Sequence, residues 1–238
     1  YGKPFHNSLK RAWADVIARA GEYNLSKYRQ ESRMVKLVDV VNLTHPNGEA
    51  ALDLLVTGKL KQESTWEAII SKKGSNPVAW NEAVDVMGHM ALLRNLRNLL
   101  KQNPIQSMRF LFLKKLVEGA PTGRQLPFRY YSAYRALLEE GLNNPQVLDA
   151  IEECLEASMH RLPTFKGRVM SLCDNSGSAR GTTVSTFSGV TVSTIANLTG
   201  ILTGRQSEEG YVGLFGNNLD VHPVRKKDSI LSSLSRLD

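Results

Sequence analysis

The chain has 238 residues, of which 42% are hydrophobic and 22% charged, the composition of an ordinary globular protein. It is too apolar for a disordered tail, and no apolar run approaches the roughly 18–20 residues that span a bilayer. Its two cysteines have no Cys or His at metal-ligating spacing, which favours free thiols in a reducing compartment. No signal-like stretch follows Tyr1, so we expect a cytoplasmic protein, without a membrane partner, whose chain starts inside a longer one.

Residues 8–163 are predicted to form a series of helices, because apolar residues recur there at spacings of three and four. The segments with this pattern are 9–20, 34–41, 50–55, 80–87, 90–100 and 147–159. Ser64 precedes Glu67 by three residues, as in a capping box, and predicts the start of another helix. Short turns and the lack of an alternating strand pattern indicate stacked helix pairs, an α-solenoid of HEAT-like repeats.

The positive charge is concentrated in this helical part. Residues 94–135 contain nine basic residues and one acidic residue, a net charge of +8 in 42 positions. Such a concentration indicates a polyanionic partner. Arg94, Arg97 and Lys101 are spaced by three and four, so they share one helix face and can contact successive phosphates. The alternative is a solvated face, or one paired with acidic residues on a neighbouring helix.

The composition changes at Pro163 to that of an α/β region. The apolar run 169–173 predicts a buried strand of a parallel sheet, 211–215 a second and 221–224 a third. Between them, 17 of the residues 174–204 are Gly, Ser or Thr, which would suit a linker, but Val184, Phe187, Thr191 and later apolar residues favour a helix. A helix over 229–237 completes the first half of a doubly wound domain, so we place a boundary between domains 1–163 and 164–238.

Polar side chains follow the first predicted strand. Asp174, Ser176 and Ser178 alternate, so one carboxylate and two hydroxyls can converge at the carboxyl end of the strand, where open α/β sheets bind ligands. Three hard oxygens suit Mg²⁺ that retains several waters. A polar turn that caps the next helix is the equal alternative. The spacing matches neither a nucleophile elbow nor a phosphate loop.

The chain contains a series of motifs followed by one further motif, and their order resembles the Ro (SS-A autoantigen-like) RNA-binding family. In that family a TROVE module is followed by a von Willebrand factor A domain. The series is KYR at 27–29, LTHP at 43–46, TWE at 65–67, MALLRNLRNL at 90–99 and LPFRYYSAY at 126–134. The further motif is Asp-x-Ser-x-Ser, which resembles a metal-ion-dependent adhesion site. The resemblance extends from about residue 4 to 238, with both ends truncated relative to the family.

This resemblance implies a ring of helical repeats closed by the A domain. It also implies binding of single-stranded 3′ ends of misfolded or structured RNAs, binding of Y-like small noncoding RNA, and cooperation with an exoribonuclease in RNA quality control. Asn42 occupies a position that is often basic in relatives, which weakens the expectation of Y RNA binding. For the metal, Asp174, Ser176 and Ser178 would form an incomplete shell for Mg²⁺, because the later Thr and Asp ligands have no counterpart.

The candidate RNA-binding residues combine the basic helix face with the family motifs. They are Arg94, Arg97, Lys101, Arg129, Lys114, Lys115, Arg124 and His45. Arg129 stands among aromatic residues that can stack on bases, although we expect Phe128 and at least one neighbouring tyrosine to pack in the core. A helix-capping role is equally open for His45.

We interpret the chain as a ribonucleoprotein component that is not an enzyme, since its sequence shows no carboxylate pair, His-paired nucleophile or nucleotide loop. The alternative is a protein-interaction scaffold that uses the metal-dependent adhesion-like site.

Overall fold

A computed structural model describes residues 5–28, 33–48, 50–60, 65–186 and 188–237. The chain divides into two compact units, 1–72 and 73–238. Arg29, Ser64 and Phe187, which took part in the predicted motifs and patterns, lie outside the described residues. None of the described helices is long and apolar enough to cross a membrane.

The first unit contains short helices around a small apolar core. They are α1 (Asn7–Ala18), α2 (Glu22–Lys27), α3 (Leu37–Thr44) and α4 (Ala50–Val56), and α5 (Trp66–Lys73) reaches its boundary. The core includes Ile17, Leu25, Val41 and Leu55. The predicted helix start at Met34 is wrong, because that side chain is 99% exposed and lies before α3.

Hydrogen bonds explain where two of these helices begin. The Asp39 carboxylate accepts from the Lys36 backbone N–H at 2.8 Å, which holds the amino end of α3. At α5, Thr65 Oγ1 accepts from the Ala68 N–H at 3.2 Å. A side-chain oxygen that satisfies a free N–H of the first turn is the usual N-cap contact. The helix predicted near Glu67 is therefore confirmed, with Thr65 in the capping position.

The second unit begins with five helices that pack on one another as repeats. They are α6 (Pro77–Val86), α7 (His89–Lys101), α8 (Gln106–Gly119), α9 (Pro127–Glu139) and α10 (Pro145–Ser158), followed by a 3-10 turn (Met159–Arg161). Helix α7 contacts α8 and α9, and α10 contacts the same two helices. The core between them is filled by fully buried side chains such as Leu116, Tyr130 and Ile151. The predicted helical-repeat architecture is confirmed.

The α/β region follows within the same unit. Its strands are β1 (Phe165–Asp174), β2 (Thr183–Ser185), β3 (Ser188–Thr191), β4 (Ser207–Phe215) and β5 (Leu219–Val224), and its helices are α11 (Gly177–Gly181), α12 (Val192–Arg205) and α13 (Ile230–Leu237). The main sheet has the order β1-β4-β5, with β1 parallel to β4 and β5 antiparallel to it. Helix α12 packs closely on β1 and β4. A Cβ on Gly210 would lie 2.2 Å from the Gly204 carbonyl oxygen, so the helix and the strand approach closely there because both carry glycine.

Two predictions for this region need correction. The helix expected from Val184 begins at Val192, because 183–185 and 188–191 form the antiparallel strands β2 and β3, rich in β-branched Thr and Val. Strand β1 has the predicted parallel pairing but is not buried on both faces. Leu172 is 60% exposed, and the face it shares with Met170 carries no covering helix in the described part of the chain.

Side chains of α10 bind the helical repeats to the α/β region. The Glu152 carboxylate accepts from the backbone N–H groups of Ile230 and Leu231 at 2.5 and 3.1 Å, capping α13. Arg205 pairs with Glu156 at 2.9 Å. The predicted boundary at 163/164 thus falls within the second compact unit. The change from helix to strand occurs there, while separate domains at that point stay a prediction.

Candidate nucleic-acid interface

A groove runs between α7 and α9, with a volume of about 490 Å³. Its lining is made of arginines, neutral polar residues and apolar residues: Met90, Leu93, Arg94, Leu96, Arg97, Gln125, Arg129, Ser132, Ala133, Ala136 and Leu137. We call it the α7–α9 groove. It holds three of the eight residues that the sequence predicted for RNA.

The amphipathic pattern of α7 explains why its cations lie together. Leu92, Leu96 and Leu99 are nearly fully buried, so the residues on the opposite side of the helix face outward. Arg94 and Arg97 therefore stand one turn apart on the exposed side. Helix α9 begins with Pro127 at a first-turn position and places Arg129 on the other wall of the groove.

The groove cations differ in what neutralises them. Within the described ranges, neither Arg94 nor Arg129 makes an ion pair. Arg97 Nη1 lies 2.7 Å from Glu140 Oε1, and Lys101 Nζ lies 2.5 Å from Glu140 Oε2. The two cations hold the pKa of the Glu140 carboxyl below its ordinary value, Lys101 contributing most. Arg94 and Arg129 are thus exposed to solvent without an ionic partner among the described residues, whereas Arg97 and Lys101 share the Glu140 carboxylate.

The structure places three other predicted basic residues away from this groove. Lys115 Nζ donates to the carbonyl oxygens of Val84 and Asp85 at 2.7 and 2.8 Å, at the carboxyl end of α6. A cation at that end satisfies carbonyls that have no partner within the helix. Lys114 lies 3.9 Å from Glu118 on α8, and Arg124 occupies a left-handed position with φ 52°. Their roles in RNA binding stay predictions.

The aromatic residues beside Arg129 divide between core and surface. Tyr130 and Tyr131 are buried, as expected for at least one tyrosine, and Tyr130 accepts or donates a 2.7 Å hydrogen bond with His89 Nε2. The core position expected for Phe128 is wrong, because its ring is 39% exposed. It lines a second groove of about 350 Å³ that also contains Arg129 and Ser132. A stacking surface therefore adjoins the α7–α9 groove.

Several lining residues escaped the sequence analysis. Ser132 follows Arg129 by three positions on α9, and Gln125 precedes that helix, so both present polar groups beside the arginines. Arg135, one of the nine basic residues, lines the second groove, and its Nη2 lies 3.6 Å from Glu139 Oε1. Helical spacing from Arg129 could have suggested Ser132. Nothing local could have indicated Gln125, because its position depends on the packing of the loop against α7.

His45 belongs to the first unit. It forms the C-cap of α3 in the left-handed conformation, φ 46°, and its backbone N–H donates to the Val41 carbonyl. The capping alternative is therefore confirmed for its backbone. The side chain lines a cleft of about 320 Å³ that also contains Lys10, Arg11 and Asp15. Its predicted contact with RNA stays a prediction.

The Asp174–Ser178 loop lies where β1 ends. Asp174 Oδ1 accepts from the Ser176 backbone N–H at 2.9 Å, and this bond keeps the pKa of the Asp174 carboxyl below its ordinary value. The hydroxyls of Ser176 and Ser178 are 3.2 Å apart. Asn175 and the fully buried Asn197 exchange two amide hydrogen bonds, 2.8 and 3.1 Å long. The loop is therefore fastened to α12.

The oxygens of this loop would supply only part of the ligands that a metal ion needs. Asp174 bonds to the Ser176 backbone, and the Ser176 hydroxyl lies beside that of Ser178, but the three residues supply one carboxylate, and one of its oxygens already accepts a backbone hydrogen bond. Their convergence on a metal ion stays a prediction. Across the described residues, no group of three His, Cys, Asp or Glu side chains could hold a metal. The donor set suits a hard cation that keeps most of its water.

Comparisons with known proteins agree with this architecture. Residues 56–168 match the family model of the TROVE domain. Telomerase protein component 1 of Mus musculus is 34% identical in an alignment of 83 residues that covers 33% of this chain and 3% of that protein. The crystal structure of the Deinococcus radiodurans RO (RSR) protein superposes with a TM-score of 0.61 at 19% identity.

That superposition covers 95% of this chain and 56% of the Deinococcus protein, and at such identity it shows the fold alone. The shared fold is a helical-repeat module followed by an α/β region. All residues that line the α7–α9 groove fall inside the matched range. Segment 56–168 of this chain is therefore similar to the TROVE domain, and the α7–α9 groove lies within it.

Proposed function

We propose that this chain is a non-catalytic RNA-binding protein and that the α7–α9 groove binds the phosphates of single-stranded RNA. The observation that carries the proposal is the pair Arg94 and Arg129, which line one groove without a carboxylate partner in the described structure. Guanidinium groups bind phosphate oxygens through two parallel hydrogen bonds. Phe128 in the adjoining groove supplies a ring on which a base can stack.

The lining of the groove also favours binding over catalysis. Among the described residues that form it there is no His, Cys, Asp or Glu, so no side chain of the lining can act as a general base at neutral pH or activate the Ser132 hydroxyl as a nucleophile. Arginine and serine can position a phosphate without breaking a bond. The match to the TROVE domain and the fold of the RO protein support an RNA ligand.

The finer parts of the proposal follow from the resemblance to Ro proteins. We propose that the RNA ligands are single-stranded 3′ ends of misfolded or structured RNAs, that Y-like RNA is a further ligand, and that an exoribonuclease is a partner in RNA quality control. These partners belong to the whole protein, whereas this chain spans about half of the Deinococcus relative.

The test is a binding titration with a fluorescent single-stranded RNA at several salt concentrations. The double variant Arg94→Glu with Arg129→Glu should lose at least about tenfold in affinity, because two phosphate contacts become repulsive. Lys226→Glu with Lys227→Glu is the matched control, since both lysines are exposed and the change in net charge is the same. An equal loss in both variants would contradict a specific groove.

The salt dependence tests the charge-driven mechanism directly. Binding through phosphates releases counterions, so the affinity of the wild-type protein should fall steeply as salt rises. The double variant should show a shallower slope. A flat response, or no binding at low salt, would instead favour the second candidate, a protein-interaction scaffold that uses the clustered oxygens of Asp174, Ser176 and Ser178.

A further inference from the structure

One carboxylate stands beside the proposed RNA-binding groove and pairs with the groove cation Arg97 and with Lys101, which follows Arg97 by one turn on α7. Glu140 follows α9 directly, at its C-cap. Its two oxygens reach different partners, Oε1 the Arg97 guanidinium at 2.7 Å and Oε2 the Lys101 ammonium at 2.5 Å. Because Arg97 and Lys101 are one helical turn apart on α7, the carboxylate bridges them as the two free oxygens of a phosphodiester could.

The bridge is accessible to a competitor. The side chains of Arg97 and Lys101 are 50% and 54% exposed, and that of Glu140 is 26% exposed. Exposed ion pairs are weak and screened by salt, so an incoming anion can replace the carboxylate. The displaced Glu140 carboxylate can turn toward water and stay charged.

The two ends of the basic face of α7, Arg94 at one and Arg97 with Lys101 at the other, therefore bind RNA in different ways. Arg94 lies one turn from Arg97 and, like Arg129, has no ion pair in the described part of the chain. At Arg97 and Lys101 a phosphate must first replace Glu140.

We propose that Glu140 competes with RNA phosphate for Arg97 and Lys101 and so acts as an internal counter-ion that restrains the affinity of the groove. This inference rests on the proposed function and names a regulating residue of the same site. It also defines the preferred ligand. A strand anchored at Arg94 and Arg129 presents its next phosphate at high effective concentration, whereas a short or isolated anion does not.

The test compares wild type with Glu140→Gln, which keeps the shape of the side chain and removes its charge. Affinity for a fluorescent oligouridine of about 12 nucleotides should rise about two- to fivefold at low salt, the range of an exposed ion pair. The salt dependence should become steeper because two further cations gain counterions that RNA releases. Binding of a short oligouridine of about four nucleotides should improve more than that of the long one.

Two controls separate this effect from a general change of charge. Glu82→Gln on α6 removes the same charge from an exposed ion pair with Lys73. The affinity of this variant for RNA should match that of wild type. In a protein that already carries Arg97→Ala and Lys101→Ala, adding Glu140→Gln should no longer raise the affinity for RNA. This result is required if Glu140 acts through those two cations. Thermal melting verifies that each variant is folded.

The outcomes distinguish this inference from the function on which it rests. Unchanged or lower affinity in Glu140→Gln would overturn the competition, and a lower affinity would mean that Glu140 orients the two cations for RNA. If Arg94→Glu with Arg129→Glu then still loses binding, the proposed function stands without the inference. If neither wild type nor Glu140→Gln binds RNA, both are overturned.

Discussion

The α7–α9 groove and the Asp174–Ser178 loop both gather polar side chains, but they differ in what satisfies them. In the loop, Asp174 accepts a backbone N–H and Asn175 exchanges amide hydrogen bonds with Asn197. In the groove, Arg94 and Arg129 have no ionic partner among the described residues. Polar groups that satisfy one another stabilise a fold, whereas cations left to solvent are available to a ligand. The comparison favours the groove as the binding site.

The largest effect is expected when the α/β region, which carries the loop, is separated from the helices that carry the groove. Residues 164–238 expressed alone should show no cooperative thermal transition, because α13 loses its cap from Glu152, Arg205 loses Glu156, and a three-stranded sheet keeps one open apolar face. The measurement is circular dichroism against temperature, with the full chain as the control. A sharp transition from a soluble monomer would show that the α/β region folds independently.

The next largest effect should come from the buried amide pair of the loop. Asn197→Ala should lower the free energy of unfolding by about 1–3 kcal/mol, because it removes both amide hydrogen bonds between the fully buried Asn197 and the half-buried Asn175. Urea unfolding measures this, with exposed Asn217→Ala as the matched control. RNA affinity should be unchanged, since the groove lies on α7 and α9. A loss of RNA affinity in the folded variant would show that the loop and the groove are coupled.

A smaller effect concerns a hydrogen-bonded pair inside the helical region. His89 bonds to buried Tyr130, and a Cβ on Gly123 would lie 2.1 Å from its ring. Burial lowers the pKa of His89, so the unfolded chain takes up a proton near pH 6.5 while the folded protein does so only at lower pH. Stability should therefore be complete above about pH 6.5 and fall below it, by up to about 1.4 kcal/mol per pH unit.

Urea unfolding at about pH 7.5 and pH 5.5 checks this dependence. His89→Gln should reduce the difference between the two pH values, whereas His160→Gln, at an exposed position, should leave it as in wild type. The same pH dependence in His89→Gln would assign the effect to other groups.

The smallest expected effect is at the candidate metal position. We propose that Mg²⁺ or Mn²⁺ binds weakly at Asp174, Ser176 and Ser178, with a dissociation constant of about 0.1–1 mM or weaker, because one carboxylate leaves most of the ion's water in place. Asp174→Ala should abolish this binding and Ser176→Ala should weaken it less. Calorimetric titration measures both. Equal affinity in wild type and Asp174→Ala would remove Asp174 from the site.

Local patterns were sufficient for much of the fold. Apolar spacings predicted α7 with Arg94 and Arg97 on its exposed side, and the run 169–173 predicted β1 with its parallel pairing. They failed for 183–185 and 188–191, which were expected in a helix and form the antiparallel strands β2 and β3. Periodicity does not distinguish the two when Thr and Ser dominate a short segment, because tertiary packing then selects the structure.

The sequence by itself determined the helical and α/β regions and the basic face of α7, because these follow from propensities and spacings within one element. Tertiary structure decided which cations serve which purpose. Glu140 lies 43 positions from Arg97, and Lys115 lies 31 positions from the Val84 carbonyl, yet each pair is in contact. An ionic contact depends on distances of a few ångströms between elements, and the packing of the helices sets those distances. The sequence therefore shows the amount of positive charge, and the fold decides how much of it remains available to RNA.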